Sequence, residues 1–219
     1  MKVAIAGAGA VGRSIARELI ENSHEVLLLE RDIDHIDETA VPGATWVYAD
    51  ACELENLERA HLETFDVVVA ATGDDKANLV VSLLAKTEFA VDRVVARIND
   101  PRNEWLFGED WGVDVAVSTP RILASLVEEA VSVGDLVRLM TFRQGQANLV
   151  EMTLPDNTAL AGRPVGKLEL PRDAALVAIL RGGRVIVPQA DDPVEGGDEL
   201  VFIVEHGGEE PLRKAIIVA

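Results

Sequence analysis

The chain alternates short apolar runs with amphipathic stretches over most of its length. Residues 3–6 form an apolar run ending in glycines, and residues 11–20 place apolar side chains at helical spacing. Residues 25–30 (E-V-L-L-L-E) read as a second strand, and 32–39 as a short helix stopped by Pro42-Gly43. A third strand at 44–49 leads into an acidic helix over 53–61. Residues 66–72 (D-V-V-V-A-A-T) give the most apolar strand, which belongs at the centre of a sheet. A helix over 74–86, strands at 93–98 and 114–117, and a helix over 101–107 between them complete the series. Six strands joined by short crossovers within about 120 residues predict a doubly wound parallel sheet of Rossmann type.

Thr119-Pro120 then opens another helix, with Thr as the cap and Pro in the first turn. Ile122, Leu123, Leu126, Val127, Ala130 and Val131 give it a broad apolar face, of which a sheet neighbour needs only part. Such a face suits a dimer contact, a crossover to a second domain, or ordinary packing on the sheet. Beyond Gly134-Asp135 the pattern changes. Strands are expected at 136–142 and 148–154, a turn at 155–158 and a short helix over 162–168. Residues 174–181 and 184–188 form a hairpin around Gly182-Gly183, which supply the positive φ of a primed turn. An acidic loop at 191–198, a strand at 199–205 and a helix over 211–217 close the chain. The fold class is therefore α/β, a Rossmann-type doubly wound parallel sheet followed by a small α+β domain. The expected division is 1–118 for the nucleotide-binding domain, 119–135 for a crossover helix and 136–219 for the second domain.

Composition agrees with buried parallel strands. Of 219 residues, 48% are hydrophobic but only 4% aromatic, so the core rests on Val, Ile, Leu and Ala. No run approaches the ~18 apolar residues of a membrane span, and the amino terminus enters a strand directly. The single cysteine, Cys52, excludes an internal disulfide framework and multi-cysteine metal sites. A soluble, cytosolic chain is expected. Its net charge of −18 is concentrated in residues 1–135, which hold 11 Lys and Arg against 26 Asp and Glu. That field repels nucleic acid. Any phosphate has to be held locally, by backbone N–H groups and a few placed arginines.

The candidate chemistry starts with Gly7-Ala8-Gly9-Ala10-Val11-Gly12, a G-x-G-x-x-G directly after the first strand and opening the first helix. The first glycine makes the tight turn, the second lets backbone approach a pyrophosphate, and the third lets helix and strand pack closely. The phosphate sits on the positive end of the helix dipole. Glu30 ends the second strand, where its carboxylate accepts from both ribose hydroxyls and repels a 2′-phosphate. NAD is thereby favoured over NADP, with Arg31 beside it as the residue able to accommodate that phosphate. A ribose diol is common to NAD, ATP, ADP and AMP, so the pattern identifies an adenosine phosphate and leaves open which one. Ligands in such sheets sit beyond the carboxyl ends of the strands. Asp50 (by the adenine), Thr72-Gly73-Asp74 and Arg97 all fall there. Asp50 and Asp74 are equally readable as helix N-caps, Asp74 more so. Arg97 is the cation that an acidic rim needs to hold phosphate. Arg13 reads as a first-turn helix residue, with phosphate contact as the alternative.

Residues for catalysis are not visible. His24, His35, His61 and His206 fall away from strand carboxyl ends, and no H-E-x-x-H, Walker lysine loop or G-x-S-x-G occurs. Cys52 lacks an activating cation in sequence and reads as structural. An NAD-dependent oxidoreductase would need a hidden acid–base residue and a substrate pocket. A DNA-binding redox regulator is opposed by the charge and by the missing helix-turn-helix.

The motifs also carry a family resemblance. G-A-G-A-V-G at 7–12, Glu30, Asp50, A-A-T-G-D-D at 70–75, V-A-R-I-N-D-P at 95–101 and V-S-T-P at 117–120 resemble an RCK (regulator of potassium conductance, or KTN) N-domain. L-P-D-N-T-A-L-A-G-R-P-V at 154–165 and G-G-D-E-L-V-F-I-V at 196–204 resemble the RCK C-domain. The resemblance implies a cytosolic regulatory subunit of a bacterial Trk/Ktr-type potassium-uptake system, of the single-unit kind, and no enzyme. It implies binding of NAD(H) or ATP/ADP through Gly7, Gly9, Gly12, Glu30, Arg31, Asp50, Thr72, Gly73 and Arg97. It further implies dimers assembled into a ring under a potassium-translocating membrane subunit, at the inner face of the cell membrane. Some relatives carry an arginine inside the glycine loop, where this chain has Ala10 and Val11. Some bind a cyclic dinucleotide at the C-domain, for which Arg163 and Arg181 are the residues to test here.

Overall fold

The computed structural model describes residues 1–142 and 147–217. It divides into two compact units, Met1–Pro120 and the chain from Arg121 onward.

The first unit is built on six parallel strands: β1 (Lys2–Ala6), β2 (Glu25–Glu30), β3 (Thr45–Tyr48), β4 (Val67–Ala70), β5 (Arg93–Ile98) and β6 (Val115–Ser118). Their order is β3-β2-β1-β4-β5-β6, the doubly wound order expected of this strand and helix pattern. The chain reverses direction across the sheet between β1 and β4. Residues 3–6, 26–29 and 68–70 are buried, as strands covered on both faces require. Alternate residues feed two cores. Val3, Ile5, Val26, Leu28 and Val69 pack on the side of α1 (Ala10–Glu21), with Ala16, Ile15 and Leu19. Ala4, Ala6, Ala70, Ala96 and Ile98 face the other side, with Leu57 of α2 (Leu54–Arg59) and Leu79 and Val81 of α3 (Asp75–Thr87).

In the second unit, α4 (Thr119–Val131) leads to five antiparallel strands: β7 (Val137–Thr141), β8 (Ala147–Thr153), β9 (Ala174–Arg181), β10 (Arg184–Ile186) and β11 (Glu199–Glu205). They order β10-β9-β11-β8-β7. Phe202, Met152, Ile179 and Leu200 form the core with Leu212 of α5 (Glu209–Ile217). The predicted hairpin is present: Gly182 and Gly183 have φ of +56° and +75°, and Arg181 faces Arg184 across the turn.

Several predicted helices are shorter than expected. The stretch 32–39 forms only a 3-10 turn, Ile33–His35. Asp32 accepts from the Asp34 N–H and Asp37 from the Thr39 N–H, so local side-chain bonds compete with helix propagation. Residues 162–168 give a 3-10 turn, Val165–Lys167, because Gly162 is left-handed at φ +79° and Pro164 follows. The 101–107 segment is likewise 3-10, Pro101–Leu106. The helix expected over 53–61 is shortened to Leu54–Arg59, with His61 beyond it in the left-handed region. Thr119 is the first helical residue of α4 and not its cap.

Candidate functional site

At the carboxyl edge of the first sheet, the turn after β1 meets the end of β4. Gly7 has φ +98°, and a Cβ on it would come within 2.9–3.0 Å of Thr72 backbone atoms. A Cβ on Gly12 would lie 1.9 Å from the Gly7 carbonyl oxygen. Glycine at both positions is thus demanded by the protein's own packing. Gly9 and Gly73 differ: an added Cβ meets nothing within 4 Å at either, and Gly9 has the ordinary extended backbone of φ −68°, ψ −173°. The fold does not need glycine there. Both positions leave open space beside the backbone, and Gly9 is the N-cap of α1, where unpaired N–H groups collect.

Glu30 lies at the end of β2, in register with Tyr48. Its two carboxylate oxygens accept from the Ala8 N–H at 2.8 Å and the Asp32 N–H at 2.9 Å. The side chain therefore braces the glycine loop. It retains lone pairs for a ribose diol, because each carboxylate oxygen has two. Arg13 braces the loop from the other side: its Nε donates to the Ala8 carbonyl at 2.6 Å, and its guanidinium lies 6.0 Å from the Trp46 ring centre. These contacts turn Arg13 onto the loop backbone, as a first-turn helix residue.

Asp50, half-buried at the end of β3, accepts from the Cys52 N–H at 2.9 Å. It closes an Asx turn and is not the cap of α2, whose N-cap is Glu53. Asp74 does cap α3, accepting from the Lys76 N–H at 2.8 Å. Arg31 is exposed, and its charge reaches the Cys52 thiol. Burial and the neighbouring Asp50 carboxylate nevertheless push that thiol up to about 11, with Arg31 pulling only partly the other way. Such a thiol is a poor nucleophile at neutral pH.

Arg97, the penultimate residue of β5, lies on the same face as Val95, the α1 side of the sheet. Its Nε is buried with no hydrogen-bond partner. A buried guanidinium nitrogen without an acceptor fits a site built to receive an anion. Together, Arg97, the two glycines open to space and the N-terminus of α1 suit a nucleotide phosphate.

Two residues without a role assigned from sequence, Asn78 and Asp75, hold this edge together. Asn78 is fully buried and bonds to Thr72 and to the Arg97 carbonyl. Asp75 accepts from the Asn99 N–H (2.6 Å), the Asp100 N–H (3.0 Å) and the Asn99 and Asn103 side chains (2.9 and 2.8 Å). The available signal was helical spacing: Asp75, Asn78 and Ser82 occupy apolar-stripe positions of α3, and all three are buried. Burial alone raises the Asp75 pKa, but the hydrogen bonds from Asn103, Asn99 and Asp100 outweigh it and leave the carboxyl below its ordinary value. A carboxylate whose pKa is lowered by folding adds stability above the unfolded value of ~3.9 and loses it as pH falls through the folded one. Asp75→Asn is therefore expected to cost about 2–3 kcal/mol at neutral pH, with a difference from the parent that shrinks in acid below about pH 4. Chemical denaturation across pH checks both.

Of the histidines, His35 reaches this edge through its backbone carbonyl, which accepts from Arg13 at 3.1 Å. His24 is 3.3 Å from the terminal amine, His35 and His61 are exposed beside Asp32 and Glu63, and His206 follows β11. Among the described residues no His, Cys, Asp and Glu group gathers to hold a metal, and no helix is long and apolar enough to cross a membrane. In the second unit, Arg163 and Lys167 line an open surface hollow. Arg181 is committed elsewhere: it pairs with the fully buried Asp198 through bonds of 2.6 and 2.8 Å.

Comparison with known proteins places this geometry. Residues 3–119 match the family model of the TrkA-N domain, and residues 149–216 match that of the TrkA-C domain. The chain belongs to the TrkA family. It is 70% identical over 217 residues to a Trk system potassium uptake protein TrkA of Mycobacterium tuberculosis, with 99% of each chain covered. Among solved structures it is similar to the GsuK channel bound to NAD, with a TM-score of 0.71 and 16% identity over 99% of this chain and 39% of that one. The GsuK RCK domain gives a TM-score of 0.66 at 18% identity, covering 98% of this chain and 47% of that one. At such identities the solved structures establish the fold alone. The RCK resemblance carried by the motifs is borne out: its glycine-loop half lies within the TrkA-N match, and its tail motifs lie within the TrkA-C match.

Proposed function

We propose that the chain is the nucleotide-sensing regulatory subunit of a potassium uptake system. The observation that carries this reading is 70% identity over 99% of the chain to a Trk system potassium uptake protein, and the open glycine loop at 7–12 supports it. In this reading residues 1–118 bind NAD(H) or ATP/ADP through Gly7, Gly9, Gly12, Glu30, Arg31, Asp50, Thr72, Gly73 and Arg97. Residues 119–135 cross over, and 136–219 form the regulatory domain. The partner is a potassium-translocating membrane subunit, met at the cytoplasmic face.

Gating follows from differential binding. A nucleotide shifts the partner's state only as far as it prefers one assembly conformation over another, and ~1.4 kcal/mol of preference gives a tenfold bias. The test is rubidium uptake by vesicles carrying a Trk-type membrane subunit, with and without this chain, under NAD, NADH, ATP and ADP in turn. Rates that depend on both the chain and the nucleotide support the proposal. Rates indifferent to the chain under all four contradict it.

Self-association is part of the same proposal. α4 exposes Leu123 at 63%, with Ile122, Leu126, Val127 and Val131 also exposed. A contiguous apolar face of this kind is what a second copy would cover. Leu123→Glu is expected to shift the chain toward monomer in sedimentation velocity while leaving nucleotide binding unchanged. An unaltered distribution would remove α4 from the contact.

A further inference from the structure

α3 buries polar groups along the face where an amphipathic helix ordinarily presents apolar ones, and Asn78 is the most committed of them. It is fully buried, and its amide uses all of its hydrogen-bonding capacity. Oδ1 accepts from the Thr72 N–H at 2.9 Å and from the Thr72 hydroxyl at 2.7 Å. Nδ2 donates to the Thr72 carbonyl at 3.2 Å and to the Arg97 carbonyl at 2.8 Å. One side chain thus joins the carboxyl end of β4 to that of β5.

The sheet ladder does not make this junction. β4 and β5 pair up to Ala70 and Ala96, after which β4 has ended while β5 continues to Ile98. Thr72-Gly73 and Arg97 lie beyond that last pair. Asn99 adds a second tie, its Nδ2 donating to the Thr72 carbonyl at 3.0 Å and to Asp75 at 2.9 Å. The amide chemistry is specific: Asn78 must accept on one side and donate on the other, which neither a carboxylate nor an apolar side chain of similar size can do.

The geometry points to Asn78 as a positioning residue for the nucleotide, an inference that rests on the nucleotide-sensor reading above. It is too deeply buried to touch a ligand. It acts through Thr72-Gly73 and Arg97, holding the open glycine and the Arg97 backbone, whose side chain carries the unpartnered Nε, at a fixed separation. The Thr72 hydroxyl turns inward to Asn78, so Thr72 offers the ligand its backbone neighbourhood and not its side chain.

A double-mutant cycle on the full chain tests this, with ADP and NADH as separate probes in calorimetric titrations. Asn78→Ser keeps a small polar group but is too short to bridge both strands, and the Asn99 tie remains to hold the fold. It is expected to weaken binding at least tenfold. Arg97→Met weakens binding as well, and the double variant is expected to lose less than the sum of the two single losses, because part of the Asn78 effect runs through Arg97. A purely structural Asn78 gives additive losses or none, and either result overturns the inference. If Asn78→Ser does not fold, hydrogen exchange on the parent chain decides. ADP is then expected to slow exchange at the Thr72 amide together with the glycine loop, and protection confined to the glycine loop overturns it. A parent chain that binds neither these probes nor NAD or ATP refutes the nucleotide reading itself, and the inference with it.

Discussion

Gly9→Asp is expected to weaken nucleotide binding at least 100-fold while leaving the melting temperature of the unliganded chain unchanged or slightly raised. Position 9 caps α1 in ordinary extended backbone, and an added Cβ meets no protein atom within 4 Å. Aspartate is among the best N-cap residues, so the substitution does not harm the helix and adds a few tenths of a kcal/mol at most. Its carboxylate would occupy the N–H groups that a phosphate needs and would repel the phosphate charge. A 100-fold loss corresponds to about 2.7 kcal/mol. Gly12→Ala provides the contrast, since its Cβ would fall 1.9 Å from the Gly7 carbonyl oxygen and must disturb the fold. Titration and thermal melting of the two variants separate a glycine kept for a ligand from one kept for packing. Binding by Gly9→Asp at the parent's strength would contradict the placement of the phosphate.

The second large effect lies in the other unit. Arg181→Ala is expected to destabilise it by about 3–5 kcal/mol, because truncating one partner strands a buried charge. Asp198 is fully buried and accepts from Arg181 Nε at 2.6 Å and Nη2 at 2.8 Å. It also accepts from the Glu195 N–H at 2.8 Å. Arg181 also reaches Glu195 at 2.6 Å and the Pro193 carbonyl at 2.8 Å, so it fastens the acidic loop to β9. An Arg181→Met, Asp198→Leu double variant should recover much of the loss by removing both charges together. Calorimetric melting measures this. A cost under about 1 kcal/mol would show that the pair is not what holds the loop.

The same pair shows where sequence reading falls short. Arg181 looked available for an anionic ligand because its partner lies 17 residues away, across a loop with no periodicity to place it. By contrast, the doubly wound sheet was legible throughout. Buried parallel strands leave continuous apolar runs, such as residues 67–71, and the glycine loop and Glu30 mark strand ends by their spacing. Gly182-Gly183 named its turn because the primed turns that close a two-residue hairpin need positive φ, which both residues adopt. The short helices failed for a physical reason: Asp32, Asp37 and Asp100 bind nearby N–H groups, and propensity averaged over a window does not register such local bonds. The role of Asn78 was hidden for another reason. Its partners come from β4 and β5, and only the folded register brings them to one amide.

The central claim is that this chain binds an adenine nucleotide at the carboxyl edge of its parallel sheet. Calorimetric titration of the purified chain with NAD, NADH, ATP and ADP tests it most directly. The account predicts that at least one of the four binds with a Kd of micromolar order, about 8 kcal/mol, and raises the melting temperature as its concentration increases. No heat of binding and no melting shift from any of the four would contradict it.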